Sequence, residues 1–272
     1  TTTNDVVNFP GYPDGINGPQ MMLDLQKQAE RFGTDVRYGM VTSVDFSSYP
    51  HKAVVDEKHE ITAEAIIIST GASAKYLGLE SEKEYANKGV SACAVCDGFF
   101  YKGKPVAIVG GGDTAAEEAT YLANLCPKVY MIVRRDELRA SKIMQNRVLN
   151  TPNIEVLWNT ETERITGDGE AVTGATVVDN QTGEKRELEV DGFFVAIGHK
   201  PNTDIFKDYL EMDETGYLKV IPGTSKTSIE GVFVTGDASD KVYRQAVTAA
   251  GMGCMGALDA ERFLQSKELE TV

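Results

Sequence analysis

At 272 residues, 42% of them hydrophobic and 25% charged, the chain has length for one large or two ordinary domains with sizeable cores. The net charge of −14 excludes the basic footprint that nucleic-acid binding requires, and reads as solubility. The longest apolar runs, residues 65–68 and 106–109, are strand-length and exclude a long apolar membrane helix.

No charged-then-apolar leader opens the chain, which begins at Thr1. Residues 17–32 read as a helix. Asn17 supplies a cap, and Met21, Leu25, Ala29 and Phe32 fall on one face as ordinary core. Residues 36–71 read as a short strand, a meander with the turn Ser47-Ser48-Tyr49-Pro50, then a buried apolar strand ending at Gly71.

The next signal is Cys93-Ala-Val-Cys96-Asp97. Four cysteines, one close pair and the singles Cys126 and Cys254, do not make a secreted disulfide framework. A structural zinc site needs four ligands, and His51, His59 and His199 have no ligand spacing. A redox dithiol in a cytoplasmic protein is therefore the favoured reading, with Cys126 and Cys254 as small core residues. A pair at i and i+3 can close a small ring at a helix start, where amides favour thiolate. Asp97 reads equally as a proton shuttle or as the first residue of an Asp-Gly turn.

Fourteen residues beyond Cys96 stands a glycine loop. Residues 105–109 predict a strand, Gly110-Gly111-Gly112 a loop, Asp113 and Thr114 the opening of a helix over 114–125, and 129–133 a second strand. Gly110-x-Gly112-x-x-Ala115 in that setting reads as a dinucleotide pyrophosphate site. The first glycine permits the turn, the second lets the backbone approach, and Ala115 permits close helix–strand packing. At the end of the next strand an NAD site carries an acid, and here stand Arg134 and Arg135, with Arg139 one turn on. Guanidinium groups there suit a ribose 2′-phosphate, so NADPH is favoured over NADH. The bland alternative is a solvated cluster paired with Asp136 and Glu137. Electrons passing from a nicotinamide to a disulfide ordinarily need a flavin relay.

Residues 154–198 repeat the plan of 36–71: a strand, a meander with the turn Asn180-Gln-Thr-Gly183, then an apolar strand ending at Ile197-Gly198. Two nucleotide-binding domains of one α/β plan are implied. Gly110 precedes Gly198 by 88 residues. The same spacing counted back from Gly71 falls before Thr1, so the first copy is expected to lack its opening βαβ unit and glycine loop. Near the end, residues 231–237 predict a buried strand closing on Gly236-Asp237. That carboxylate suits a sugar or ribityl hydroxyl, or else a helix cap. Residues 243–264 predict a long helix rich in Ala, Gly and Met, and 266–272 a fraying tail.

On these residues the chain resembles the low-molecular-weight thioredoxin reductases. The resemblance is carried by Asn8-Phe-Pro-Gly11, Ser69-Thr-Gly-Ala-Ser-Ala74, Val90-Ser-Ala-Cys-Ala-Val-Cys-Asp-Gly-Phe-Phe-Tyr101 and Val109-Gly-Gly-Gly-Asp-Thr-Ala115. It continues through Arg134-Arg-Asp-Glu-Leu-Arg139, Phe194-Val-Ala-Ile-Gly-His199, Thr235-Gly-Asp-Ala238 and Tyr243-Arg-Gln-Ala246. It implies two Rossmann-like domains of three-layer β/β/α form. An FAD domain of residues 1–75 plus 201–272 would hold an inserted NADPH domain of residues 76–200 with the dithiol. Cys96 would lie nearest the flavin, Cys93 would attack thioredoxin, Asp97 would donate a proton, and Phe99 and Phe100 would lie at the docking surface. Asn8, Thr70, Gly71, Asp237, Ala238, Arg244, Gln245 and Ala246 would line the FAD site. A homodimer in which one domain rotates is implied as well. Val133 stands where the family commonly has histidine. The expected loss of the first βαβ unit predicts weak FAD binding by this chain. Other readings are the flavoprotein subunit that feeds a peroxidase, a ferredoxin–NADP reductase, which lacks the dithiol, and a non-catalytic remnant that holds NADPH.

Overall fold

The computed structural model describes residues 5–270 and shows an α/β chain of two compact units. One is built on Ala74–Gly198 and includes Tyr12–Gln20, which the sequence had assigned to the other stretch. The other is built on Met21–Ser73 and the chain from His199 onward, with Phe9–Gly11.

In the first unit five parallel strands form the sheet, in the order Ile154–Leu157, Val129–Ile132, Val106–Val109, Gly192–Val195, Val90–Ser91. Parallel strands buried on both faces must be apolar throughout, and Val106–Val109 is buried at every position. Successive side chains point to opposite faces, so the strand divides itself between two cores. Val106 and Ile108 join Phe194, Met131 and the Ala115, Ala116, Ala119 and Leu122 face of helix Asp113–Ala123. Ala107 and Val109 join Phe193, Ile132 and the meander residues Ile165, Ala175, Val177 and Leu188. That meander is antiparallel: Thr160–Gly167, Val172–Asp179, Lys185–Glu189. Helix, sheet and meander give the three-layer, Rossmann-like arrangement.

The second unit repeats parts of this plan. A three-stranded antiparallel meander, Val41–Asp45, His51–Val55 and His59–Ala63, precedes the parallel pair Ile66–Ile68 and Val232–Val234. Phe46, Ile68, Phe206, Leu210, Leu218, Val232, Val234 and Ala238 form its core.

Four local expectations change. No strand forms at Val36; the meander starts at Val41, and Tyr38 and Met40 are exposed. The helix Gly18–Arg31 forms, and Asn17 Oδ1 accepts from Gln20 N at 3.4 Å. Only Met21 of its apolar face is buried, however; Leu25 and Phe32 are exposed, because periodicity selects a face without supplying a neighbour to cover it. The last helix runs Ala246–Glu270, so residues 266–270 are helical rather than frayed. It starts after residue 243 because Arg244 takes a left-handed φ of 47°. Cys254 on that helix is exposed, whereas Cys126 is buried as expected. Among the described residues no helix is long and apolar enough to cross a membrane.

Candidate functional site

Cys93 and Cys96 are joined by a disulfide with Cα atoms 5.3 Å apart. The sequence places them so through a single turn of helix, Ala94–Asp97, with Cys93 extended as its cap. Cys96 N donates to Cys93 Sγ at 3.2 Å, and Asp97 N donates to Cys93 O at 3.1 Å. One amide aimed at Cys93 sulfur is thus the donor present; a four-residue helix has little macrodipole to add. No group of three metal-ligating side chains gathers among the described residues.

Asp97 is half-buried beside the dithiol, and Ser91 Oγ donates to its Oδ2 at 2.6 Å. Burial pushes the Asp97 carboxyl above the usual range; the Ser91 hydrogen bond opposes that rise. Ser91 also holds Cys93 directly, since Cys93 N donates to Ser91 Oγ at 3.1 Å. Sequence reasoning missed Ser91. Its only signal was a hydroxyl two residues before a cysteine; its place is set by the strand pairing of Ser91 with Phe194. Beyond Asp97 the chain turns through Gly98–Tyr101, leaving Val95, Phe99 and Phe100 exposed as an apolar rim.

The same unit contains a cavity of about 810 Å³ at the carboxyl ends of its strands. Gly110, Gly112, Asp113, Thr114, Arg134, Arg135, Arg139, Ile197 and Gly198 all line it together with Glu137, and so do Leu77, Leu79 and Thr160–Thr162, which the sequence did not single out. Such crevices are where open α/β sheets take their ligands. The two outer glycines of the loop do different work. Gly110 has a φ of +148°, and a Cβ there would lie 2.4 Å from Ala196 O and 2.7 Å from Ala115 Cβ. A Cβ on Gly112 would meet no atom within 4 Å. The space beside Gly112, at the amino end of helix Asp113–Ala123, is a cradle that a side chain would fill.

Arg139 N and Ala140 N both donate to Gly111 O, at 2.7 and 3.1 Å, which ties the arginine segment to the loop. Arg134 O and Arg135 O are held by Asn180 Nδ2 and Asn159 N. The backbone is fixed while the three side chains stay exposed, and none forms an ion pair with Asp136 or Glu137 among the described residues. Asp113 ties the loop to the chain that follows the arginines: its Oδ1 accepts from Ser141 N at 2.8 Å, and the Ser141 bonds hold its carboxyl below the usual range.

In the second unit, Thr70 and Gly71 end the Ile66–Ile68 segment, and their carbonyls accept from Asn202 Nδ2 and N. Gly236, Asp237 and Ala238 form a 3-10 turn after Val232–Val234. Asp240 gathers the next stretch, accepting from Val242 N, Tyr243 N and Arg244 N, and leads through Gln245 to Ala246 at the helix start. Asp237 Oδ1 is buried without a hydrogen-bond partner. Burial raises that carboxyl, and Asp240 raises it further, against the pull of Arg244. A buried acceptor with no donor costs free energy and fits a ligand hydroxyl. Asn8 groups with the first unit.

A disulfide, a glycine cradle and a set of unpaired arginines in one Rossmann-like unit define a pyridine-nucleotide-linked disulfide enzyme. The comparisons with known proteins agree: the model of the pyridine nucleotide-disulphide oxidoreductase family matches residues 6–253, and the chain belongs to that family. It is 50% identical over 273 residues to the thioredoxin reductase of Debaryomyces hansenii, covering 98% of this chain and 85% of that one. It is 49% identical to the thioredoxin reductase of Coxiella burnetii, covering 97% and 85%. Among solved structures, thioredoxin reductase from Giardia duodenalis superposes with a TM-score of 0.91 at 48% identity, covering 97% and 86%.

Proposed function

We infer that the chain is a thioredoxin reductase, an NADPH-dependent oxidoreductase that uses FAD and passes electrons through Cys93 and Cys96 to the disulfide of thioredoxin. The carrying observation is the Cys93–Cys96 disulfide, formed on the helical turn that ends at Asp97 and in the same unit as the glycine cradle. FAD, when bound, supplies the relay that turns a hydride into the electron pair a disulfide accepts.

The residues proposed for NADPH are Gly110, Gly112, Asp113 and Thr114 at the pyrophosphate, Arg134, Arg135 and Arg139 at the 2′-phosphate, and Ile197 and Gly198 further along the cavity. The open space at Gly112 and the unpaired guanidinium groups support that assignment. Those proposed for FAD are Thr70, Gly71, Gly236, Asp237, Ala238, Arg244, Gln245 and Ala246, and the unpartnered Asp237 Oδ1 supports it. The unit of residues 76–200 carries NADPH and the dithiol, and residues 1–75 with 201–272 carry FAD.

In the reduced state Cys93 thiolate attacks one sulfur of the partner disulfide and forms a mixed disulfide. Cys96 then attacks Cys93 sulfur, the reduced partner leaves as a dithiol, and the Cys93–Cys96 bond forms again. Cys96 N, already directed at Cys93 sulfur, stabilises charge there. Asp97, whose hold on a proton burial strengthens, supplies the proton that a departing thiolate takes up. Val95, Phe99 and Phe100 offer thioredoxin an apolar docking rim. A homodimer in the cytoplasm completes the reading; the redox use of the C-x-x-C pair supports that compartment, although relatives include mitochondrial enzymes. The test is a visible spectrum of the purified chain with FAD, followed by NADPH and thioredoxin. A flavin band and NADPH-dependent thioredoxin reduction that Cys96→Ser abolishes are expected. NADPH binding without any dithiol turnover overturns the reading.

A further inference from the structure

We propose that Ser91 is a positioning residue for the reaction, a two-way hydroxyl switch that answers the protonation state of Asp97 and links it to the backbone of Cys93. The proposal rests on the function inferred above. Ser91 is 9% exposed on the edge strand Val90–Ser91, two residues before the dithiol. Its single hydroxyl has two acceptors within reach, Asp97 Oδ2 at 2.6 Å and Cys93 O at 3.4 Å, and its oxygen accepts from Cys93 N at 3.1 Å. One proton cannot serve both acceptors. When Asp97 is a carboxylate, the short charge-assisted bond to Oδ2 takes it. When Asp97 carries a proton, that proton can be donated to Ser91 Oγ, which frees the Ser91 hydrogen to turn to Cys93 O.

The redox step balances as follows. Two electrons, originating on NADPH, enter the Cys93–Cys96 bond and break it. One sulfur takes the Asp97 proton and becomes a thiol, the other remains a thiolate, and Asp97 becomes a carboxylate. The charge left on Asp97 is met by the Ser91 hydroxyl without any other group moving. The titratable groups that feel the Asp97 charge are Tyr76 and Tyr101, whose ionisation burial opposes first and neighbouring carboxylates, Asp97 among them, oppose further; on the packed helix Asp113–Ala123, Tyr121 lies against Gly98. None is a cation, so Ser91 is the donor that stabilises the carboxylate.

The experiment follows the Asp97 carboxyl carbon by NMR against pH in the full disulfide-form chain, assigned with Asp97→Asn. Losing a hydrogen bond to a charged group moves the midpoint by about one pH unit on general magnitudes. Ser91→Ala is therefore expected to raise the Asp97 midpoint by roughly that amount, and Ser91→Thr to restore it. If Ser91→Ala does not fold, the isosteric pair Ser91→Thr and Ser91→Val makes the same comparison, the two differing only in the hydroxyl. A midpoint unmoved by Ala or Val, or moved equally by Thr, overturns the proposal. The titration contains neither NADPH nor thioredoxin. A shift of the expected size beside failed thioredoxin exchange therefore refutes the function and leaves the Ser91 switch standing.

Discussion

Two glycines separated by one residue should respond oppositely to the same methyl group. At Gly110 an alanine brings Cβ to 2.4 Å from Ala196 O, a backbone atom on the neighbouring strand segment, at a φ of +148°. Overpacking and left-handed strain each cost about 1–3 kcal/mol, so Gly110→Ala should lose roughly 3 kcal/mol of stability. For a unit of this size that is a fall in Tm of roughly 6–12 °C. At Gly112 the backbone has φ −94° and ψ −179°, which alanine adopts freely, and the new Cβ meets nothing within 4 Å. Alanine is a poorer helix cap than glycine, but it also restricts the unfolded chain; the two effects nearly cancel, leaving about 0.5 kcal/mol of either sign. The methyl instead occupies the space beside the helix amides, so NADPH affinity should fall at least tenfold, on the order of 1.4 kcal/mol. The single tryptophan, Trp158, packs against the core of this unit, and its fluorescence reports the unit's unfolding in urea. Binding is read by titration with NADPH. If Gly112→Ala unfolds as early as Gly110→Ala, or binds NADPH like the parent, the division of labour between the glycines is wrong.

Three further outcomes follow from the site. Arg134→Ala with Arg135→Ala should weaken NADPH by about 2 kcal/mol, roughly 30-fold, while leaving NADH nearly unchanged; calorimetry with both nucleotides checks it, and equal losses would refute a 2′-phosphate role. Asp97→Asn should lower thioredoxin turnover by about 10²–10⁴-fold. Its stability should move the other way. The folded Asp97 carboxyl lies above its ordinary 3.8, so the parent loses stability as pH rises from 3.8 through the raised value. The Tm advantage of Asn over the parent should accordingly be larger at pH 7 than at pH 4. Asp237→Ala should bind FAD about 10–100-fold more weakly, read from the flavin band after dialysis, because the buried carboxylate oxygen then has nothing to offer a ligand hydroxyl.

Much of this chain was legible before any coordinates, and the reason is that its signals are local. The C-x-x-C spacing and the strand–glycine–helix run each depend on a few consecutive φ/ψ values and on covalent reach. Cys93 and Cys96 do lie on one helical turn, and the loop does open helix Asp113–Ala123. The twin meanders were readable for the same reason, since strand alternation and turn residues are short-range properties. Only tertiary structure could decide which surfaces acquire neighbours and which polar atoms meet. Leu25 and Phe32 obey helical periodicity yet face solvent, and Cys254 is exposed on a helix whose composition reads as core. Ser91 reaches Asp97 because of strand pairing with Phe194, and Asp113 is taken by Ser141, twenty-eight residues on. Chain-local chemistry thus determined the redox pair and the nucleotide loop, whereas burial and long-range hydrogen bonds, which set the proton affinities of Asp97 and Asp237, exist only once distant segments have been brought together.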